Sequence, residues 1–121
     1  MEHTFKNIQV WEKSHNLVLH IYRITAQFPY SEKYGLTSQI RRSSASIPTN
    51  IVEGYKRKSV KEFSHFLNIA ESSLEETKYH LLLACDLKYL DAKSYDDLVM
   101  LADEIGRMIF GFKKTLKAYN L

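Results

Sequence analysis

Seven basic side chains in this sequence fall in two short runs and could bind phosphate groups together. They are Lys56, Arg57, Lys58, Lys61, Lys113, Lys114 and Lys117. Ammonium and guanidinium groups that neutralise phosphates release condensed counterions, which gives a sequence-tolerant affinity for RNA or DNA. The net charge is only +3 over 121 residues, so the composition permits a nucleic-acid partner without requiring one.

Two Glu-x-x-His motifs raise the question of a metal site. Glu12 with His15, and Glu62 with His65, have the spacing used by di-iron bundles, which also need one glutamate from each remaining helix. The fourth carboxylate would have to come from near the C-terminus, where the sequence offers lysines instead. We therefore predict no metal site.

Other chemistry finds no matching motif. The sequence contains no glycine-rich phosphate loop, no G-x-S-x-G and no C-x-x-C, so we predict no cofactor, no small-molecule substrate and no enzymatic activity. Cys85 is the only cysteine and cannot form an internal disulfide, and its L-L-L-A-C context predicts a buried thiol. A lone reduced cysteine is typical of the cytoplasm. No apolar run approaches the roughly 20 residues that span a bilayer, so no membrane partner is expected.

Apolar residues recur at intervals of three and four in four segments, which predicts four helices. The breaks are predicted near residues 29–35, 56–59 and 88–94. Ser59 with Glu62 forms a capping box at the start of the third helix, and Asp91 or Ser94 can cap the fourth. Four helices with short connections predict an all-α, antiparallel up-down-up-down four-helix bundle as a single domain over residues 1–121.

The second helix contains Pro48, yet Ile40, Ile47 and Ile51 stay in phase around it. This predicts a kinked helix rather than two helices, although proline removes one backbone hydrogen bond. We expect nearby serine hydroxyls to satisfy part of the freed backbone.

A polar stripe runs beside these isoleucines: Gln39, Arg42, Ser46, Asn50, Glu53 and Arg57. It has two interpretations. It could be a solvated face, or it could be a hydrogen-bonded contact with the third helix, where Arg42 would lie near Ser72, Ser73 and Glu76.

Antiparallel folding would separate the charges along the bundle. The first helix begins near Lys6 and Lys13, and its start would meet the basic turn and the C-terminal lysines at one end, with the acidic residues of 86–104 at the other. Three interpretations remain open: a solvated surface, a site for a phosphate backbone, or head-to-tail self-association. The helices also carry more apolar surface than one core stripe needs, so we expect a homo-oligomer.

The segment QIRRSSASIPTNIVEGYKRKSVKEFSHFLNIAESSLEE, Gln39 to Glu76, resembles the signature of the 23S rRNA intervening-sequence proteins, also called the S23 or four-helix-bundle family. The opening FKNIQVWEKSHNLVLHIY is similar too, so the resemblance covers nearly the whole chain. The signature positions are Arg42, Ser46, Pro48, Asn50, Glu53 and Gly54. Ser72 departs from the family pattern, which has glycine there, and would loosen the contact between the second and third helices.

The resemblance implies a bacterial four-helix bundle that often assembles as a barrel-like homopentamer. Similar bundles are accessory proteins of diversity-generating retroelements, where a basic surface engages nucleic acid, and the family has no established enzymatic activity. We therefore predict a non-enzymatic, oligomeric protein that binds RNA or other nucleic acid through the basic end of the bundle. Tyr55 and Tyr119 could stack there on unpaired bases. The alternative is a structural oligomeric adaptor that binds another protein.

Overall fold

The computed structural model describes residues 8–119. They form four α-helices: α1, Gln9–Thr25; α2, Leu36–Tyr55; α3, Val60–Asp86; and α4, Ala92–Tyr119, with a short 3-10 helix at Tyr30–Glu32 between α1 and α2. No strand occurs in this part of the chain. Each helix packs against two others, α1 and α3 both against α2 and α4, and the α2–α3 contact is the most extensive. The predicted antiparallel four-helix bundle is confirmed.

The core consists of the apolar stripes that the sequence periodicity indicates. Its fully buried members include Leu17, Ile40, Leu67 and Ile105, one from each helix in turn. Burial of such side chains stabilises the bundle by roughly 1.5–3 kcal/mol each, which makes the apolar stripes the main source of stability. The lysines and glutamates between them remain at the surface because burying an unpaired charge is costly.

Two of the helix starts are capped by side chains as predicted. The Ser59 hydroxyl accepts a hydrogen bond of 3.0 Å from the backbone N–H of Glu62, and this begins α3. Asp91, rather than Ser94, caps α4: its Oδ1 accepts from the backbone N–H of Ser94 at 2.7 Å. That hydrogen bond lowers the pKa of the Asp91 carboxyl. Each cap satisfies an amide that the first helical turn leaves without an intrahelical partner.

The break between α1 and α2 begins earlier than the apolar pattern suggests. α1 ends at Thr25, whose hydroxyl donates to the carbonyl of Ile21 at 2.7 Å. After Thr25 the chain turns through hydrogen bonds between residues three apart, and Phe28 remains buried. The Phe28 ring packs against that of Tyr89 at a centroid distance of 5.6 Å. Proline at 29 disfavours a helical conformation in Phe28, so α1 cannot continue up to the proline.

The carboxylate of Glu32 joins both connections at this end of the bundle. Its Oε1 accepts from the backbone N–H of Leu36 at 3.1 Å, at the start of α2. Its Oε2 accepts from the Tyr89 hydroxyl at 2.9 Å, in the turn between α3 and α4. This hydrogen bond raises the pKa of Tyr89.

α2 continues as one α-helix through Pro48, as predicted. The serine hydroxyls bond differently from our expectation: Ser43 donates to the carbonyl of Ile40 at 3.3 Å and Ser44 to that of Arg41 at 3.2 Å, in the turn before the proline. The turn around Pro48 is instead reinforced by Thr49, which donates to the Ala45 carbonyl at 2.7 Å. Pro48 itself is buried, so its ring contributes packing that offsets part of the lost backbone bond.

Candidate functional site

The end of the bundle where α2 meets α3 and α4 ends collects the predicted basic residues. The ring of Phe63 at the start of α3 holds the three segments together. It contacts Tyr55 of α2 at a centroid distance of 6.4 Å and Phe112 of α4 at 5.2 Å. The aromatic contacts place the Lys56–Lys61 turn beside the last turns of α4. Lys6, expected at the same end, lies outside the described residues.

The seven predicted cations differ in how far they are already paired. Lys113 is half-buried and its Nζ lies 2.7 Å from Oε1 of Glu71, in a salt bridge between α4 and α3. Arg57 lies 3.4 Å from the Glu53 carboxylate, and its guanidinium stands 4.7 Å from the centroid of the Phe66 ring. Lys114 lies 5.6 Å from the ring centroid of Phe110. Fewer than seven of these cations are therefore without a competing partner in the folded chain.

Four lysines at this end are exposed and have neither a carboxylate nor an aromatic ring as a partner in residues 8–119: Lys56, Lys58, Lys61 and Lys117. We call them the free lysines. Lys61 and Lys117 come from different helices and line the same surface pocket, of about 420 Å³, with Val60, Ser64, His65 and Asn68. This pocket, here called the basic-end pocket, combines two ammonium groups with an imidazole, a hydroxyl and an amide.

The predicted stacking tyrosines have different outcomes. Tyr55 is half-buried and packs edge to face on Phe63, so its ring belongs to the end of the core. The side chain of Tyr119 lies outside the described part of the chain. The exposed ring in the basic-end pocket is instead that of His65, which the sequence offered only as part of a Glu-x-x-His motif.

Charged residues farther along the bundle pair between helices. Lys13 of α1 lies 3.3 Å from Glu104 of α4. Lys78 of α3 lies 2.7 Å from Asp103, and this hydrogen bond is the largest of several influences that raise the pKa of Lys78. These salt bridges neutralise part of the negative charge of residues 86–104.

The polar stripe of α2 divides between the two interpretations. Ser46 forms a hydrogen bond across to α3, whereas Gln39, Arg42, Glu53 and Arg57 are exposed. The hydroxyls of Ser46 and Ser73 lie 2.9 Å apart, and Asn50 Nδ2 donates to the Ser46 hydroxyl at 2.9 Å and to the Ser46 carbonyl at 2.7 Å. Glu53 is exposed and pairs with Arg57 in the same helix. The small side chains allow the two backbones to approach closely while keeping their polar groups paired.

A pocket of about 350 Å³ opens on this contact, and we call it the α2–α3 pocket. It is lined by Gln39, Arg42, Ser43, Ser46, Ser73 and Glu76. The predicted proximity of Arg42 to Ser73 and Glu76 is therefore correct. Ser72, in contrast, is exposed, so the departure from glycine at this position does not separate α3 from α2.

A buried hydroxyl and imidazole network lies beneath the pocket. Ser43 Oγ is 3.3 Å from Nδ1 of His80 and accepts from Thr77 at 2.9 Å. Nε2 of His80 faces the Glu76 carboxylate at 3.9 Å. Burial lowers the pKa of His80, and the nearby Glu76 only partly opposes this. Burial therefore favours a neutral imidazole, whose Nδ1 lies within hydrogen-bond distance of the Ser43 hydroxyl.

Ser43, His80 and Glu76 have the order of nucleophile, base and orienting carboxylate that a hydrolase uses. Ser43 nevertheless lies in the middle of α2, where the backbone N–H groups bond within the helix and cannot be directed at an oxyanion. The network thus serves to satisfy buried polar groups, and among residues 8–119 no buried side-chain nitrogen or oxygen lacks a hydrogen bond.

Two further signature residues contact neighbouring helices. Gly54 is buried, and a Cβ built on it would lie 2.8 Å from Cδ1 of Phe63 and 3.0 Å from Cβ of Phe66. Pro48 lies on the other side of α2, in a shallow groove shared with Trp11 and His15 of α1. Both positions therefore fix how closely α2 is packed.

The Glu-x-x-His motifs do not come together. The ring of His15 stacks on Trp11 at 5.0 Å, and His65 stands edge to face with Phe66 at 5.5 Å. Within the described chain, no group of three or more His, Cys, Asp or Glu side chains is arranged to hold a metal ion. Cys85 is half-buried rather than fully buried as its context predicted. No helix in residues 8–119 is both long and apolar enough to cross a membrane.

Several large apolar side chains remain at the surface of the single chain. On α1 they are Leu19 and Tyr22; on α3 and α4 they are Tyr79, Leu82, Met100 and Phe110. Leu81, the neighbour of Leu82 in α3, lies in the core instead. The most exposed of these on α4 are Met100, at 70%, and Phe110, at 59%.

Comparison with known proteins gives a consistent assignment. Residues 6–111 match the family model of the 23S rRNA-intervening sequence protein. The fold is similar to the crystal structure of a protein of unknown function from the S23 ribosomal protein family of Bacteroides thetaiotaomicron VPI-5482, with a TM-score of 0.78 and 28% sequence identity over 87% of this chain and 98% of that one. No curated protein matches the chain. The family match covers most of the sequence, including every signature position on α2, and the chain therefore belongs to the 23S rRNA-intervening sequence protein family.

Proposed function

We propose that this protein is a non-enzymatic, homo-oligomeric RNA-binding protein of the cytoplasm, and that single-stranded RNA binds at the basic end of the bundle. The observation that carries the proposal is the grouping of the free lysines Lys56, Lys58, Lys61 and Lys117. Because these ammonium groups have no carboxylate partner among the described residues, phosphates can bind them without first breaking a salt bridge.

The basic-end pocket supports single-stranded RNA over a duplex. An exposed imidazole can stack on an unpaired base, and hydroxyl and amide side chains can bond its edge. His65, Ser64 and Asn68 line the pocket between Lys61 and Lys117, so a base there would be flanked by cations that bind the adjoining phosphates. Bases within a duplex are already stacked and paired and could not enter the pocket.

Homo-oligomerisation would strengthen this binding. The exposed apolar side chains lie on three helices, α1, α3 and α4. A ring of subunits needs two different surfaces that match each other, so this distribution supports a cyclic assembly such as the pentamer that the resemblance implies. Each subunit would add one basic end and raise the avidity for a long RNA. The same apolar surfaces also favour the alternative, an adaptor that binds another protein.

The test is RNA binding by a charge-reversed variant. Replacing Lys58, Lys61 and Lys117 with glutamate should weaken the binding of a single-stranded RNA oligonucleotide by at least a hundredfold. The matched control replaces three other lysines with glutamate: Lys33, Lys88 and Lys93, which are exposed and distant from the basic end. The control protein therefore has the same net charge as the test variant. The control should bind almost as tightly as the wild type if position, rather than total charge, governs binding.

Salt dependence and a duplex of the same length complete the experiment. The logarithm of the wild-type affinity should fall with the logarithm of salt concentration, with a slope near −0.7 for each phosphate neutralised on a single strand. Equal affinity of the variant and the wild type, or equal loss in both variants, would reject the basic end as the site. No salt-dependent binding by the wild type would favour the adaptor.

A further inference from the structure

The α2–α3 pocket is lined by polar groups that are not fully paired with one another. Arg42 is exposed and makes no hydrogen bond or ion pair with any residue in 8–119. Glu76 lines the same pocket, but no oxygen of its carboxylate lies within 4.0 Å of the Arg42 guanidinium, because the pocket separates them. A cation and an anion thus face one cavity without neutralising each other.

Of the two serine hydroxyls on the pocket wall, one remains able to donate a hydrogen bond to a ligand. Ser46 and Ser73 share a single hydrogen bond of 2.9 Å, so one hydroxyl donates and the other keeps its proton. Asn50 also donates a hydrogen bond to the Ser46 hydroxyl oxygen. This bond uses a lone pair of Ser46 and does not provide an acceptor for the remaining serine proton. The remaining proton lies on the same wall as Arg42 and the Gln39 amide.

The net charge of the pocket limits what it can bind. Arg42 contributes one positive charge and Glu76 one negative charge, and His80 beneath them is held neutral by burial. A doubly charged phosphate would be attracted by Arg42 but repelled by Glu76. A molecule with one anionic and one cationic group would complement both charges at once.

We propose that the α2–α3 pocket binds a small zwitterion of the kind presented by a free amino acid. Its carboxylate would accept hydrogen bonds from the Arg42 guanidinium and from whichever of the two serine hydroxyls does not donate to the other. Its ammonium group would donate a hydrogen bond to the Glu76 carboxylate. A pocket of about 350 Å³ falls within the range of small-ligand sites and has room for an amino acid with its side chain. This site is separate from the basic end and does not depend on RNA binding.

Calorimetric titration of the full-length protein with each standard amino acid tests the proposal. We expect at least one to bind with a stoichiometry of one per chain. Its N-acetyl derivative, which lacks the ammonium group, and its amide, which lacks the carboxylate, should each bind at least tenfold more weakly. If no standard amino acid binds up to millimolar concentrations, or if both derivatives bind equally well, the proposal is wrong.

Variants tie the binding to this pocket. Arg42→Gln and Glu76→Gln should each weaken binding at least tenfold, whereas Arg107→Gln and Glu12→Gln, which change exposed charges on α4 and α1, should leave it unchanged. Arg42 is exposed and unpaired, so its replacement should keep the helical circular dichroism of the wild type. If Arg42→Gln and Glu76→Gln alter the mass by light scattering and leave binding unchanged, the pocket is a contact between subunits and the proposal is rejected.

Discussion

Gly54 is the residue at which the smallest change should have the clearest effect. It is helical and has no unusual φ, so the absence of a side chain, and not backbone freedom, is what the site requires. A methyl group here would meet Cδ1 of Phe63 at 2.8 Å and Cβ of Phe66 at 3.0 Å. The ring of Phe63 also packs on Phe112, so it cannot rotate away without disturbing α4.

We predict that Gly54→Ala lowers the free energy of unfolding by about 1–3 kcal/mol, the usual cost of overpacking. The control is Gly111→Ala in α4, where an added Cβ meets nothing within 4 Å. That variant should be more stable than the wild type by about 0.5–1 kcal/mol, because alanine favours the helix. Urea denaturation measures both. A Gly54→Ala protein as stable as the wild type would mean that α3 can move away from α2 at little cost.

At the scale of the helices, the turn between α3 and α4 contains a strained residue. Lys88 has a φ of 65°, the left-handed conformation that commonly ends a helix. Its N–H bonds the carbonyl of Cys85 at 3.0 Å, and that of Tyr89 bonds Ala84 at 2.9 Å, which satisfies carbonyls at the end of α3. Glycine adopts this conformation without the steric cost borne by lysine.

Lys88→Gly should therefore raise the free energy of unfolding by about 0.5–1 kcal/mol, after allowing for the larger conformational entropy of glycine in the unfolded chain. Thermal unfolding measured by circular dichroism would show a higher midpoint. Lys88→Ala serves as the control, since it removes the charge and keeps the Cβ, and should give no such increase. An equal gain in both variants would assign the effect to the charge.

The contact between α2 and α3 should make stability depend on pH through His80. Burial lowers its pKa in the folded state below the ordinary value of 6.5. As the pH falls through 6.5, the unfolded chain takes up this proton while the folded protein does not, so stability decreases until the folded pKa is passed. Glu76, the charged group facing the imidazole, opposes this only in part.

We expect the wild type to lose more stability between pH 7.5 and pH 5 than His80→Gln does. His20→Gln, at an exposed position on α1, should follow the wild type. Urea denaturation at several pH values supplies the comparison. Parallel curves for His80→Gln and the wild type would show that protonation of this imidazole is not linked to unfolding.

The helices and their buried faces could be predicted from the sequence because a repeat of three and four follows directly from helical geometry. The same repeat does not identify the partner of a surface charge. Lys113 was predicted as free for phosphates, yet the register between α3 and α4 brings Glu71 to within 2.7 Å. His65 was overlooked as a pocket residue for the same reason, since only the packed helices place it between Lys61 and Lys117.

At the scale of the whole molecule, the exposed apolar side chains bear on assembly. Leu82 is 42% exposed on α3, and Met100 is 70% exposed on the adjoining α4. One helical turn away, Lys78 and Asp103 bridge the same two helices at 2.7 Å, so these apolar groups border a contact between α3 and α4. Covering them in a homo-oligomer would remove apolar area from water, which stabilises association by roughly 25 cal/mol for each Å².

We predict that light scattering of the wild type gives a multiple of the 14.2 kDa chain mass, with five chains favoured by the family resemblance. The double variant Leu82→Glu, Met100→Glu should dissociate while keeping its helical circular dichroism, because both side chains point away from the core and glutamate cannot be buried there unpaired. The control, Gln27→Glu with Ala92→Glu, adds the same charge at exposed positions near the connections and should remain assembled. A wild type of monomer mass at micromolar concentration would refute the oligomer, and an intact double variant would move the contact to another face, with the surface of α1 around Leu19 and Tyr22 the next to test.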